Sequence, residues 1–401
     1  MDKLPRGWKY KMLSEVGAIV TGNTPPKNDA SFYENGTIPF VKPPDLGKGI
    51  VLTTNEKITI KALTKSRLIP KNSIMVCCIG SLGKIGISGT DLITNQQINS
   101  IVLNPELVDF KYGYYYSLTL EKYMNETANK AIVAIINKST FSKYKIPLPP
   151  LKSEQTRIVS KLDALFACID KSITLLEENL KHTKGLMASV LEEVFRDAES
   201  KWNYKSLKST TSKIGSGSTP RGGQDSYKTY GMSLIRSMNI HDGEFRHKGL
   251  ALIDDEQATK LANVAVEKDD VLLNITGASV ARCSIVDASI LPARVNQHVS
   301  IIRPTSVLNP YFLQAFLISP NTKSKLLSDS GGGATREAIT KSMIENLEVP
   351  VPDIKIQKNI INYIQKIKEA NFKIILEQQS KLAYLKALKS SILDRAFKGE
   401  L

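Results

Sequence analysis

Along residues 153–196 the apolar side chains of one seam fall at Ile158, Leu162, Leu165, Ile169, Ile173, Leu176 and Leu180, in steps of four and three. That spacing puts them on one side of an α-helix and predicts a helix-pairing surface. Pro149 and Pro150 bar an earlier start, because the residue before a proline is pushed out of the α region, and Ser153 is the predicted N-cap. A run of about 44 residues at about 1.5 Å each is on the order of 65 Å long, more than a compact domain needs. The two steps of four at Leu165, Ile169 and Ile173 predict a stutter, which locally unwinds a coiled coil. Gly185 costs about 1 kcal/mol relative to alanine inside a helix and predicts a bend in the rod. A second rod is predicted over residues 353–397, with its seam through Ile364, Ile367, Ile375, Leu382, Leu385 and Ile392.

Outside the rods the pattern shortens. Strands are predicted over residues 38–43, 73–79, 84–88 and 98–103, separated by Gly, Asn and Asp turns, with one Tyr-rich helical patch over residues 110–125. This is an α+β pattern of short strands and few helices.

The second half repeats the first at an offset of 194 to 203 residues. Trp8 finds its counterpart in Trp202, GNTP at 22–25 returns as GSTP at 217–220, and IPFVKPPDL at 38–46 matches MSLIRSMNI at 232–240, pairing Lys42 with Arg236. GSLG at 80–83 matches GASV at 277–280, NQQI at 95–98 matches NQHV at 296–299, and residues 137–151 and 184–195 match 340–354 and 386–397. The chain is therefore a duplication: a globule over residues 1–151, a rod over 152–199, a globule over 200–352 and a rod over 353–401. Such a duplication closes naturally if the two rods lie antiparallel as a coiled coil, which sets the globules at opposite ends about an approximate two-fold axis. That symmetry matches the dyad of duplex DNA, with half-sites about one helical turn, near 34 to 36 Å, apart and the rods acting as a ruler. The halves diverge over residues 48–64 against 242–260, and 127–136 against 331–339. If those loops read bases, the target is split and asymmetric.

A net charge of +15 is spread along the chain rather than confined to one tail, which points to a polyanionic partner, with nucleic acid the leading candidate. The four cysteines, Cys77, Cys78, Cys168 and Cys283, show no CxxC spacing, and Cys77 and Cys78 lie in an apolar run that reads as reduced core. The opening MDKLPRGWKY lacks a signal-peptide core, and the longest apolar runs, such as IMVCCI at 74–79, fall far short of a membrane span, so a cytoplasmic location is expected.

The sequence carries no complete catalytic or metal-binding motif. GSLGKIGISG at 80–89 has no GxxxxGK[ST] pattern and reads as a tight turn between strands, and KPPD at 42–45 is a poor substitute for a methyltransferase motif. His182, His241, His247 and His298 have no partner at metal spacing, and Pro352 and Asp353 lack the acid-x-lysine pair of a nuclease core. No catalytic residue, metal or cofactor is assigned. For DNA contact the shared turns and strand ends offer Thr24, Lys27, Lys42, Lys84, Gln96 and Lys138 in the first globule. In the second they offer Thr219, Arg221, Arg236, Arg282, Arg294, Gln297 and Arg336. Lys and Arg hold phosphates or guanine edges and Gln pairs with adenine, although the charged residues also read as solvated surface. The NQ dipeptides read equally as turns that satisfy backbone groups. Tyr112, Tyr114, Tyr115 and Tyr116 read as core, with stacking on an extruded base as the alternative. On the rods, Lys161, Lys171, Lys181, Lys366 and Lys373 lie off the seam and are either solvated or part of a subunit dock.

LPRGW at the start, the passage IPLPPLKSEQTRIVSKLDALFACID and the ending ALKSSILDRAFKGEL resemble the DNA-specificity subunit of type I restriction-modification systems, over the whole chain and in the family's order of recognition domain, helix, recognition domain, helix. The second junction, VPDIKIQKNI, departs from it in lacking the PP and EQ of the first. The resemblance implies a non-enzymatic subunit that reads a bipartite double-stranded DNA target and holds two methyltransferase subunits, which methylate adenines, while restriction subunits join to form an ATP-driven nuclease. It further implies rods that set the spacer and dock the methyltransferases, and the long docking face suggests self-association when the subunit is isolated. Two other readings fit the bulk features: a stand-alone DNA-binding repressor, which would bind without a helper, and a coiled-coil assembly adaptor, whose globules would show no sequence preference.

Overall fold

The computed structural model describes residues 4–47, 49–128, 134–220, 222–331 and 338–401. It divides into two compact units, one formed by Met1–Glu177 with Ser380–Leu401 and the other by Glu178–Gln379. Each unit thus contains one predicted globule and a stretch of both rods.

In the first unit a five-stranded sheet runs in the order Gly17–Thr21, Ile98–Leu103, Ile74–Cys77, Ile85–Ser88, Gly49–Val51. A four-stranded sheet orders Lys57–Ile58, Ile38–Val41, Leu92–Thr94 and Leu68–Ile69, and Lys9–Met12 pairs antiparallel with Lys145–Leu148. The expected strands near 38, 74, 85 and 98 are all present, each carrying at least two Ile or Val residues and largely buried on both faces. The second unit repeats the plan with Thr211–Ser216, Val299–Pro304, Val271–Asn274 and Cys283–Ile285 in one sheet. Its other sheet orders Ala251–Ile253, Met232–Ile235, Ala293–Val295 and Ala265–Val266. The divergent segments are where the plans part: the first unit adds the edge strand Gly49–Val51, and the second adds a hairpin of Ile240–His241 with Glu244–Phe245.

Both rods are single helices, Lys152–Phe195 and Ile354–Phe397, and the first is continuous through Gly185. Its seam differs by one residue from the expected one. Phe166 is buried, whereas Leu165 is 41% exposed, so the two steps of four fall earlier, at Ile158, Leu162 and Phe166. From Phe166 the buried Ile169 and the half-buried Ile173 and Leu176 follow in steps of three and four, an ordinary heptad seam. In the first unit Asp170 pairs with Lys389 at 2.7 Å and Glu177 with Lys386 at 3.5 Å, so the helix stretches there run antiparallel. In the second unit Gln378 donates to the Thr183 hydroxyl at 3.2 Å, while Met187 and Leu191 share a cavity wall with Ile361 and Ile364, again antiparallel.

The junction glutamines lock helix to globule. Gln155 accepts from the Asp109 N–H at 2.9 Å and donates to the Leu107 carbonyl at 3.0 Å. Gln357 does the same with Asn309 at 2.7 Å and Val307 at 2.9 Å, and also reaches the Pro352 carbonyl at 2.8 Å. The second junction therefore keeps the glutamine that its altered surroundings concealed. What it lacks is the acid, since Glu154 forms a bidentate pair with Arg157 whose guanidinium also donates to the Leu401 carbonyl at 2.6 Å, while its counterpart Ile356 is 43% exposed.

The tyrosines are core. Phe397 sits edge-on to both Tyr112 and Tyr116 at 5.2 Å, and the Tyr112 hydroxyl donates to the Pro147 carbonyl at 2.7 Å. Phe195 meets Phe312 and Phe316 at 5.4 and 5.3 Å in the second unit. Cys77, Cys78 and Cys283 are buried free thiols, with burial pushing Cys78 up to about 12, and Cys168 is exposed.

Replacing Phe397 by alanine empties the aromatic slot and is expected to destabilise the first unit by about 3–5 kcal/mol. Denaturant unfolding checks the size, and hydrogen exchange should quicken in the Phe110–Ser117 helix while the second unit keeps its protection. A loss below about 1 kcal/mol would show that the slot collapses around the cavity.

Candidate nucleic-acid interface

Each unit presents a turn where the GxTP and NQ motifs meet. In the first, the strand Gly17–Thr21 runs into Gly22, whose N–H donates to the Ile98 carbonyl at 3.1 Å, and Asn23 donates to the Thr94 carbonyl at 3.0 Å. A Cβ at Gly22 would run into that same carbonyl, so only glycine lets the two chains approach. Asn95 is buried and its Oδ1 accepts the Gln97 N–H at 3.2 Å, which turns the chain so that Gln96 faces out. The Thr24 hydroxyl then donates to Gln96 Oε1 at 2.6 Å. The second unit repeats the asparagine and Thr–Gln bonds of this turn, with Asn296 Oδ1 accepting the His298 N–H at 3.0 Å and the Thr219 hydroxyl donating to Gln297 Oε1, while its glycine N–H differs, Gly217 donating to the Asn296 carbonyl at 3.1 Å. The NQ dipeptide thus divides its labour. The asparagine satisfies backbone and the glutamine is exposed.

The units differ at the next residue. Gln97 accepts from Asn95 Nδ2 at 2.9 Å, whereas His298 lies 2.5 Å from the Thr276 hydroxyl through Nδ1 and 3.2 Å from Gln297 Nε2 through Nε2. With the glutamine donating, the imidazole proton sits on Nδ1, facing Thr276.

Lys42 and Arg236 occupy equivalent strand ends, each with its own N–H held three residues on, by Asp45 at 2.8 Å and by Asn239 at 3.0 Å. Lys42 forms an ion pair with Glu56 and lies 5.2 Å from the Phe40 ring. Arg236 stacks over Tyr227 at 5.0 Å and donates to the Gly249 carbonyl at 2.5 Å. Arg294 is half-buried, donating to the carbonyls of Ala258 and Ala293 at 3.2 and 3.0 Å. Lys27, Lys84 and Lys138 are exposed, and Arg282 is half-buried. Burial, with the cations Arg246 and Arg282, holds His241 below its ordinary value. The turn carrying Lys84 is tied to the segment before Lys138 through the Gly80 N–H and the Ala134 carbonyl at 3.0 Å. Arg221 and Arg336 lie outside the described residues, as do 129–133 and 332–337 of the second divergent pair. Two further charged residues lie at these turns and strand ends. Arg67, exposed, donates to the Thr21 carbonyl at 2.7 Å, and Glu56 shields Lys42; neither has a repeat partner to mark it.

Among the described residues no cluster of three or more His, Cys, Asp or Glu could hold a metal, and no helix is long and apolar enough to cross a membrane.

The model of the type I restriction modification DNA specificity domain matches this chain twice, over residues 5–180 and 199–384. The MjaIX specificity subunit of Methanocaldococcus jannaschii is 23% identical over 100% of this chain and 95% of its own length. The HindI specificity subunit of Haemophilus influenzae is 34% identical over a stretch that spans 36% of this chain and 33% of that protein. Among solved structures, a chain from a study of complex assembly and conformational transition of the type I R-M system superposes with a TM-score of 0.80 at 21% identity, covering all of both chains. The HsdS subunit from Thermoanaerobacter tengcongensis gives 0.58 at 21% identity, over 100% of this chain and 99% of that one.

Glu56→Gln releases Lys42. It is expected to raise affinity for duplex DNA several-fold and to steepen the fall of log K with log salt by about one, the mark of one more phosphate contact. Folding stability should change by less than about 1 kcal/mol, because the pair is partly exposed. An unchanged salt slope would place Lys42 off the DNA.

Proposed function

The chain belongs to the type I restriction-modification DNA specificity family, a recognition and not a catalytic role, and on that footing we propose that its two units each read one half of a bipartite, asymmetric DNA target. The observation that supports this most is the repeated turn: one backbone frame, built twice from matching residues, carries an exposed Thr–Gln pair beside segments that differ between the units. A scaffold that is shared and loops that are not is what two half-sites of different sequence require. Thr24, Lys27, Lys42, Lys84, Gln96 and Lys138 contact the first half-site. Thr219, Arg221, Arg236, Arg282, Arg294, Gln297 and Arg336 contact the second. The chain organises as recognition domain 1–151, helix 152–199, recognition domain 200–352 and helix 353–401, with the helices fixing the spacer.

The same helices dock two adenine methyltransferase subunits, through which restriction subunits join, in the cytoplasm. Off the seam they carry exposed Leu175, Tyr363, Phe372 and Tyr384 among the lysines Lys171, Lys181, Lys366 and Lys373. Apolar side chains of that size left in water on a paired helix are suited to burial by a further protein. Isolated from its partners, the subunit would self-associate through these exposed side chains.

Selection from a random duplex pool at moderate salt, with and without the partner methyltransferase, tests the reading. Two dissimilar short half-sites at one fixed spacing, sharpened by the methyltransferase, are expected. A palindrome bound by the chain alone would make it a repressor, and no enrichment in either condition would make it an adaptor.

A further inference from the structure

An exposed glutamine ordinarily samples many rotamers, yet Gln96 and Gln297 are each pinned through Oε1 by a threonine 72 and 78 residues away in sequence. We infer that the Thr24–Gln96 and Thr219–Gln297 pairs are matched phosphate anchors, one in each unit, which set the register of the DNA backbone while the divergent segments read the bases. The inference rests on the specificity reading and adds a division of labour to it.

Hydrogen-bond capacity gives the first reason. The threonine hydroxyl occupies one of the two lone pairs of the amide oxygen, and the Gln96 side-chain N–H groups have no partner among the described residues, so free donors outnumber the free acceptor. In the second unit one N–H of Gln297 points to His298 and the other is left. Phosphate oxygens only accept. The bidentate adenine contact, in contrast, uses the glutamine oxygen as acceptor together with the nitrogen as donor.

Repetition gives the second. A contact built the same way in two units must meet something common to two dissimilar half-sites, and every sequence offers a phosphate. Order gives the third. The buried asparagines and the close approach of Gly22 and Gly217 to neighbouring carbonyls fix both turns before DNA arrives, which lowers the entropy lost on binding.

Charge around the turns agrees. In the first unit Arg67 is held on the Thr21 carbonyl and the Asn23 amide donates to the Lys65 carbonyl, which brings cationic residues to the anchor. In the second, Thr219 lines a cavity of about 600 Å³ with Asp254 and Glu256. Those acids are matched by Lys228 at 3.2 Å and Lys260 at 2.6 Å, so they leave little net negative field.

Gln96→Glu in the full chain, bound to its methyltransferase, tests the anchor by random-duplex selection and by affinity at one salt concentration. A carboxylate against a phosphate is expected to weaken binding to every sequence about thirty-fold or more without changing the bases selected. Thr24→Val, which frees the amide, should weaken it about five-fold, again uniformly. Wild-type hydrogen-exchange protection of the Phe110–Ser117 helix shows that the first unit of each variant is folded. The anchor is overturned if Gln96→Glu moves the preference at one base pair of the first half-site toward cytosine, whose amino group a carboxylate reads, or leaves affinity unchanged. A wild-type complex that selects no bipartite target would instead refute the specificity reading, and the anchor with it.

Discussion

In each unit a phenylalanine at the end of a long helix is seated between two aromatic side chains four residues apart on a short helix. Phe397 lies against Tyr112 and Tyr116, and Phe195 against Phe312 and Phe316. Edge-to-face packing of this kind is worth about 0.5–1.5 kcal/mol per pair beyond the apolar area it buries. More important is what it joins. The short helix packs on the strand carrying Ile74 and Val76 in the first unit, and on that carrying Val271 and Leu273 in the second, so the aromatic slot fixes a helix end to the sheet. The junction glutamines Gln155 and Gln357 secure the opposite end of a helix against the same short helix by hydrogen bonds to its N-terminal backbone. A glycine-framed turn at the edge of that sheet then inherits a defined position, and with it the exposed glutamine.

Rigidity at the turn and variation beside it are two sides of one arrangement. Gly22 and Gly217 admit no side chain, and Asn95 and Asn296 spend their polar groups on their own turn, so the frame cannot drift without breaking buried hydrogen bonds. The edge strand Gly49–Val51 and the hairpin at 240–245 hang from the rim, where a sheet tolerates insertion. Change is therefore cheapest at the segments that would distinguish one half-site from the other.

Much of this was legible in the order of residues, because apolar periodicity and an internal repeat are both direct records of burial. The two long helices, the strands near 38, 74, 85 and 98 and the pairing of the halves follow from it. The seam was misplaced at Phe166 because Leu165 is equally apolar and periodicity alone cannot choose between neighbours; burial can. Gln357 went unnoticed because the residues around it differ from those around Gln155, although both bind the same backbone groups. Thr24 and Gln96 were visible as separate repeated motifs, but their hydrogen bond joins residues far apart in sequence and exists only in the fold. The shielding of Lys42 by Glu56 was hidden in a stretch without a repeat.

The central claim, one half-site per unit, is tested most directly by hydrogen exchange of the methyltransferase-bound chain on duplexes that carry a single half-site, at salt high enough to suppress non-specific binding. A duplex with the first half-site should protect residues 22–25 and 94–97 and leave 217–220 and 296–298 as they are without DNA, and the second half-site should do the reverse. Protection of both turns by either half-site alone, or of neither turn by the complete target, would contradict the account.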